Sequence, residues 1–109
     1  AEARVKRVYR VDLGETDDED FLAKTLVCDL LDLADTRGLT TAEPGAIGLG
    51  PRYAFPFVTP ESLVILDART LVLVNDNNYP MSDGRRPGVP DDNEFIRLAL
   101  PRPLTDPAP

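Results

Sequence analysis

The chain has 109 residues, of which 42% are hydrophobic and 28% are charged, an ordinary composition for a globular domain or part of one. Its formal net charge of −7 argues against binding nucleic acid or an anionic membrane through overall charge, since both need dense cationic contacts. Histidine is absent and Cys28 is the single cysteine, so this chain alone cannot build a Ser-His-Asp triad, an imidazole metal site or an internal disulfide.

The first third of the chain holds one clear strand pattern and one ambiguous segment. Residues 5–13 combine β-branched and aromatic residues with charged ones, which favours a strand. The acidic run 15–20 predicts an exposed connection or the first turn of a helix. In segment 21–38, leucines recur on one helical face and favour a helix, although residues 25–33 also fit a strand with two inward faces.

Residues 38–60 are rich in glycine and proline and show no sustained period, so they predict a long structured loop. The glycines of GAIGLG, residues 45–50, have the spacing GxxGxG and follow no strand, which rejects a dinucleotide-binding fingerprint. Apolar residues near the end of the loop predict that it packs onto the core there: Tyr53, Phe55, Phe57 and Val58.

The clearest signal is a hairpin in the second half of the chain. Two apolar runs, Leu63 to Leu66 and Leu71 to Val74 with their flanks, are separated by the turn-forming DART and predict antiparallel strands over 61–67 and 70–76. A last strand is predicted at 94–100, and the proline-rich tail 101–109 ends it. Since the hairpin strands are apolar on both faces, we expect Leu63, Ile65, Leu71 and Leu73 to be buried. The acidic connection should instead be exposed at Asp17, Asp18 and Asp20.

Oxygen-bearing side chains gather where the hairpin strands begin and end. Glu61 starts the first strand, and Asn75 to Asn78 leave the second, so antiparallel pairing brings them to one edge of the sheet. Asp91 to Glu94 enter the next strand near the same edge. Such donors suit calcium, which takes six to eight oxygen ligands. The alternative is that these residues cap turns through hydrogen bonds to nearby backbone.

A glycine-flanked arginine pair lies between these groups. Arg85 and Arg86 stand in SDGRRPG, and a guanidinium matches phosphate or carboxylate bidentately while glycine lets a ligand approach the backbone. This pattern favours an anion site. Two solvated arginines that balance the local acid are at least as good an interpretation.

The stretch PESLVILDARTLVLVNDNNYPMSDGRRPGVPDDNEFIRLAL resembles the C-terminal region of the phytase-like proteins, also called the esterase-like activity of phytase family. VYRVDL, KTLVCDL and GAIGLGPRYAFPFVTP are similar to the same family, so the resemblance covers nearly the whole chain and is most specific in NDNNYP and DDNEFI. It implies a β-propeller-like, mostly secreted or periplasmic bacterial protein whose acidic residues serve a phosphoester-cleaving or related hydrolytic activity. Members have several hundred residues, so this chain corresponds to their last portion.

The resemblance implies an all-β fold and turns KTLVCDL into a strand. With four strands per propeller blade, the expected strands make a partial β-propeller of about one and a half antiparallel blades. Residues 1–37 would supply the outer strands of one blade, 38–60 a long loop, 61–100 three strands of the closing blade and 101–109 a tail. The missing strand would come from the N-terminal portion of the full protein or from a companion chain.

The resemblance also implies a site shared with parts of the protein outside this chain. Glu61 and Asp76 would be catalytic, and Arg85 and Arg86 would bind a phosphorylated small molecule. The calcium ligands would be Glu61, Asp76, Asn77, Asn78, Asp92 and Glu94. This chain alone is not expected to be active. Two other functions stay open: a non-catalytic propeller that works as a binding or scaffolding module, and a small independent domain.

The expected location rests on the resemblance alone. No stretch approaches the roughly 18 apolar residues of a membrane span, and the first residues lack a hydrophobic signal core.

The thiol of Cys28, in the apolar run LVCDLL, is expected to be buried and inert rather than a nucleophile.

Overall fold

The computed structural model describes residues 3–107, which form seven β-strands in three small antiparallel sheets and contain no helix. The all-β prediction is therefore confirmed. The strands are β1 (Arg7–Thr16), β2 (Leu22–Asp29), β3 (Leu33–Ala34), β4 (Arg52–Tyr53), β5 (Thr59–Asp67), β6 (Thr70–Asp76) and β7 (Phe95–Ala99). No helix in this part of the chain is long and apolar enough to cross a membrane.

The first sheet is the hairpin β1–β2, which ends in the acidic connection. Val11 pairs with Lys24 and Arg7 with Asp29, so the helix favoured by the leucine period is wrong and the strand implied by the resemblance is confirmed. Pairing with β1 gives β2 a tertiary partner, whereas a short helix without a packing partner is only marginally stable. The predicted exposure of Asp17, Asp18 and Asp20 is confirmed.

The third sheet has the strand order β5–β6–β7 and follows the predicted hairpin and last strand. Leu71 lies between Ile65 on β5 and Leu98 on β7, and Leu73 lies likewise between Leu63 and Ile96. The prediction of burial is confirmed for Leu71 and Leu73, which are 1% and 4% exposed. It is wrong for Leu63 and Ile65, which are 46% and 63% exposed because β5 is the edge strand and the core of this chain covers β6 and β7.

The core is completed by the loop between β4 and β5. Phe55 and Phe57 are fully buried, and their rings meet edge to face with centroids 5.1 Å apart. Leu30 receives the loop, since its carbonyl accepts a hydrogen bond from the amide of Phe55. The predicted packing of this loop is thus confirmed except at Val58, which is 63% exposed.

Backbone contacts of the tail connect the two larger sheets. The Arg10 guanidinium on β1 donates to the carbonyls of Leu104 and Asp106. The Leu104 amide donates to the carbonyl of Ala68 in the turn between β5 and β6. The tail therefore lies between the first hairpin and the end of the third sheet that is opposite to the predicted site.

Candidate functional site

A polar corner forms where β6 ends beside the start of β5. Thr59 faces Asp76 across the strands, and its hydroxyl donates to the Asp76 carbonyl at 3.1 Å. The Asp76 carboxylate accepts the backbone N–H of Asn78 at 2.9 Å, and the Asn78 side-chain amide donates to the Thr59 hydroxyl. Asn78 has a φ of 47°, a left-handed conformation that asparagine tolerates well. These contacts are those of a capped turn, the alternative interpretation of this segment.

Asn77 continues the corner towards the last strand. Its backbone N–H donates to the Asn93 side-chain oxygen at 3.0 Å, and its own side-chain oxygen accepts the N–H of Tyr79 at 3.0 Å. The structure therefore brings Asp76, Asn77 and Asn78 together at one end of the β5–β6 pair. Each of them makes at least one hydrogen bond that shapes the backbone.

Glu61 lies two residues beyond Thr59, at an irregularity in the register of β5. Its side chain is exposed, and within residues 3–107 the structure gives it no hydrogen bond or ion pair. Asp92 is exposed as well, while its carbonyl accepts the side-chain amide of Asn75 at 2.9 Å. Among the described residues no three His, Cys, Asp or Glu side chains are grouped so that they could hold a metal ion.

Arg85 is the centre of a buried polar network. Its guanidinium is held bidentately by the Glu94 carboxylate, at 3.0 Å from Nε and 2.8 Å from Nη2. Nη1 donates to the carbonyl of Ile47 at 2.6 Å, and Nη2 donates to the Tyr53 hydroxyl at 3.2 Å. The guanidinium also lies 5.2 Å from the centroid of the Phe57 ring. Burial raises the pKa of Tyr53, although the hydrogen bond from Arg85 opposes that shift.

These contacts engage the guanidinium of Arg85, one of the two arginines for which the sequence predicted phosphate binding. In this arrangement Arg85 ties the loop 77–93 to the core, and Glu94 serves as its counter-ion. Arg86 is more accessible, and its Nη1 lies 2.7 Å from a carboxylate oxygen of Glu43, whose side chain is 76% exposed.

Two buried polar residues shape the same region, Asp91 and Asn75, which the sequence analysis placed among the oxygen donors but not among the calcium ligands. Asp91 is 2% exposed and accepts the backbone N–H groups of Gly84 and Arg85, both at 2.9 Å. Asn75, also 2% exposed, receives the N–H of Glu94 and thereby fastens β7 to β6. A signal for Asn75 was available, because the two-residue period of β6 puts it on the buried face of Leu71 and Leu73.

The glycine before Arg85 allows two segments of this chain to come close together. A Cβ at Gly84 would lie 2.4 Å from the carbonyl oxygen of Pro56, so a larger residue would not fit there without a backbone shift. The space that remains nearby is an open groove of about 610 Å³ between the N-terminal segment and the loops 47–58 and 81–87. Lys6 lines it and donates to the carbonyls of Phe55 and Phe57, and burial lowers its pKa.

Comparison with known proteins identifies the family of this chain. The family model described as phytase-like, esterase-like activity of phytase, matches residues 1–79. The chain belongs to the phytase-like family. No curated protein and no solved structure matches the chain.

The extent of the match divides the predicted site. Glu61, Asp76, Asn77 and Asn78 lie inside the matched residues. The match ends before the arginine pair and before DDNEFI, so it is narrower than the resemblance suggested. The predicted roles of Arg85, Arg86, Asp92 and Glu94 therefore depend on their geometry alone.

Proposed function

We propose that this chain is part of a phytase-like hydrolase of β-propeller form that cleaves phosphoesters with the help of calcium outside the cytoplasm. The observation that carries the proposal is the family match over residues 1–79, which includes the polar corner. The three antiparallel strands β5–β6–β7 are compatible with three strands of a blade, and the separate hairpin β1–β2 with the outer pair of another.

The exposure and the contacts of the predicted residues limit which side chains could bind calcium or activate water. Glu61 and Asp92 are exposed carboxylates, and Asp76 is exposed with one described hydrogen bond to its carboxylate. Glu94 already neutralises Arg85, so the full predicted set does not fit one calcium site as it stands. We propose that Glu61 and Asp76 hold the ion with the oxygen atoms of Asn77 and Asn78 nearby, and that other parts of the protein complete the shell.

Calcium at this corner would offset the charge of a phosphoester. Glu61 or Asp76 would accept a proton from the attacking water. For phosphate binding, Arg86 is the better placed arginine, because a phosphate group has only to displace Glu43 from an exposed ion pair, which is worth little in water. Arg85 would position the loop that carries Arg86.

The test replaces Asp76 by Asn in the full-length protein, which keeps the shape and removes one negative charge. We expect the rate of p-nitrophenyl phosphate hydrolysis to fall at least about tenfold, or roughly 1.4 kcal/mol in activation free energy, and the calcium-dependent rise in unfolding temperature to become smaller. Asp18→Asn, at the exposed tip of the first hairpin, is the matched control and should change neither quantity.

A non-catalytic binding or scaffolding module is the second candidate, and one observation favours it. The side chains of Asp76, Asn77 and Asn78 all hydrogen-bond within the corner, as in a structural turn. If calcium changes the stability of neither protein and neither hydrolyses the phosphoester, this second function stands. Hydrolysis of p-nitrophenyl acetate with no hydrolysis of the phosphate would show a carboxylic esterase instead.

A further inference from the structure

The groove between the N-terminal segment and the loops 47–58 and 81–87 is lined mostly by apolar side chains. Three large ones among them, Ile47, Val58 and Met81, are exposed, so a ligand that covers them gains free energy from the burial of apolar surface. The volume of the groove is about 610 Å³. Small-molecule sites are typically apolar clefts of about 300–1,000 Å³ with a few polar groups. The groove therefore has the size and the lining of such a site.

Close backbone contacts fix the floor of the groove. The Ala54 amide donates to the Gly48 carbonyl at 2.9 Å, and a Cβ at Gly48 would collide with the Ala54 carbonyl oxygen. Gly84 approaches the carbonyl of Pro56 in the same way. Because these contacts lie within the chain, the groove is formed before a ligand arrives, and binding loses little free energy in ordering it.

Lys6 places a positive charge on the wall of the groove. Its ammonium donates to the carbonyls of Phe55 and Phe57 at 2.8 and 2.7 Å, which engages two of its three N–H groups. Both acceptors are neutral, and within residues 3–107 no carboxylate lies at ion-pair distance from this ammonium. Since the side chain is half-buried, water screens its charge incompletely, and an anion beside it is favoured.

The other charges around the groove limit how much negative charge the ligand can carry. Lys6 is the only cationic residue among the described residues that line it. The carboxylate of Asp83 lines the same groove and accepts the backbone N–H of Gly88 at 2.7 Å. A phosphate monoester carries a charge of about −1.5 to −2 at pH 7, whereas a carboxylate carries one negative charge. A single carboxylate therefore matches Lys6 without adding repulsion from Asp83 and from a chain of net charge −7.

We propose that the groove binds a small monocarboxylate with an apolar body. The carboxylate accepts the third N–H of Lys6, and the apolar body covers Ile47, Val58 and Met81. Burial of apolar surface supplies most of the affinity, and the charge of Lys6 sets the orientation and the selectivity. This binding site does not depend on the proposed hydrolysis.

The first test adds the 109-residue chain to 2-naphthoate, a fluorescent aromatic monocarboxylate, and measures its fluorescence anisotropy. The matched neutral competitor is 2-naphthamide, which has nearly the same shape and no charge. We expect naphthoate to bind at least about tenfold more tightly than naphthamide. Inorganic phosphate at constant ionic strength should not displace naphthoate. Equal affinity for the two ligands overturns the proposal, as does displacement by phosphate or an unchanged anisotropy.

The two lysines of the chain provide a matched pair of variants. Lys6→Gln keeps N–H donors for the carbonyls of Phe55 and Phe57 and removes the charge. It should weaken the binding of naphthoate at least about tenfold and leave that of naphthamide nearly unchanged, which also shows that the groove still forms. Lys24→Gln should change neither affinity, because the Lys24 ammonium lies 4.6 Å from the centroid of the Tyr9 ring and outside the groove.

A second pair of variants tests whether the apolar body lies in the groove. Ile47→Asp and Leu63→Asp add the same charge at positions that are 47% and 46% exposed, but only Ile47 lines the groove. Ile47→Asp should abolish the binding of both ligands, and Leu63→Asp should preserve it. Equal effects of the two substitutions overturn the proposed location.

A measurement on the unchanged chain needs no variant. Lys6 and Lys24 are its only lysines, so selective carbon-13 labelling of lysine Cε gives one NMR signal for each. Naphthoate should shift the Lys6 signal and leave the Lys24 signal in place. A Lys6 signal that stays in place at saturating naphthoate overturns the proposal.

Discussion

The two strands of the central hairpin have similar sequences and very different surroundings. Ile65 on β5 and Leu71 on β6 stand opposite each other on one face of the sheet, yet they are 63% and 1% exposed. The difference comes from position in the sheet, because β6 is flanked by strands on both sides and β5 on one. An apolar sequence alone thus shows that a strand needs packing partners, but not which part of the chain supplies them.

The largest effect is expected from truncating a buried leucine on β6. Leu73→Ala in the 109-residue chain should lower the free energy of unfolding by about 2–5 kcal/mol, since it leaves a cavity among well-packed neighbours. Its cross-strand partner Leu63 is 46% exposed, so Leu63→Ala should cost less than about 1 kcal/mol. Urea denaturation of both variants measures the difference. Equal losses would show that β5 is covered in solution.

The next effect compares an ion pair whose arginine is buried with a pair in which both side chains are exposed. Glu94→Gln removes the charge that balances Arg85, whose side chain is 11% exposed, and should cost about 2–3 kcal/mol. Asp32→Asn breaks the pair with Arg52, where both side chains are largely exposed, and should cost less than about 1 kcal/mol. If thermal unfolding shifts equally in the two variants, the Arg85 network is not what holds the loop 77–93.

A smaller steric effect separates two glycines. Gly84→Ala brings a Cβ to 2.4 Å from the Pro56 carbonyl, so the backbone must shift, at a cost of about 1–3 kcal/mol. Gly14→Ala on exposed β1 meets its nearest atom at 3.4 Å and should be nearly neutral. Chemical denaturation compares the two, and a neutral Gly84→Ala would mean that the loops carrying Gly84 and Pro56 are not in contact.

The smallest effect is a dependence of stability on pH. The Thr40 hydroxyl and the amides of Thr40 and Leu39 donate to the Asp35 carboxylate, which lowers its pKa from 3.8. Because the folded pKa lies below the unfolded one, this contribution is present at neutral pH and is lost as the pH falls through the folded value. Between pH 7 and pH 3, the unfolding temperature should therefore fall less steeply for Asp35→Asn than for the unchanged chain.

Local patterns determined most of the elements and the family. The β-branched runs and the turn between 67 and 70 predicted β5 and β6, since alternation and turn chemistry are properties of neighbouring residues. The leucine spacing in segment 21–38 favoured a helix, and only the resemblance to the family indicated the strand β2. Its pairing partner, β1, is what decides the strand, and such a partner does not show in a local period.

The candidate site was predictable in its location and not in its connections. Antiparallel pairing alone brings Asp76 and Asn78 to the end of β5, as the structure has them. Tertiary structure alone decided that Glu94 neutralises Arg85, because the two meet only after the loop 77–93 has folded back over Tyr53. It also decided that β5 stays uncovered in this chain. The burial of a strand depends on which distant segments pack against it. The apolar residues of the strand itself show only that it needs such a packing partner.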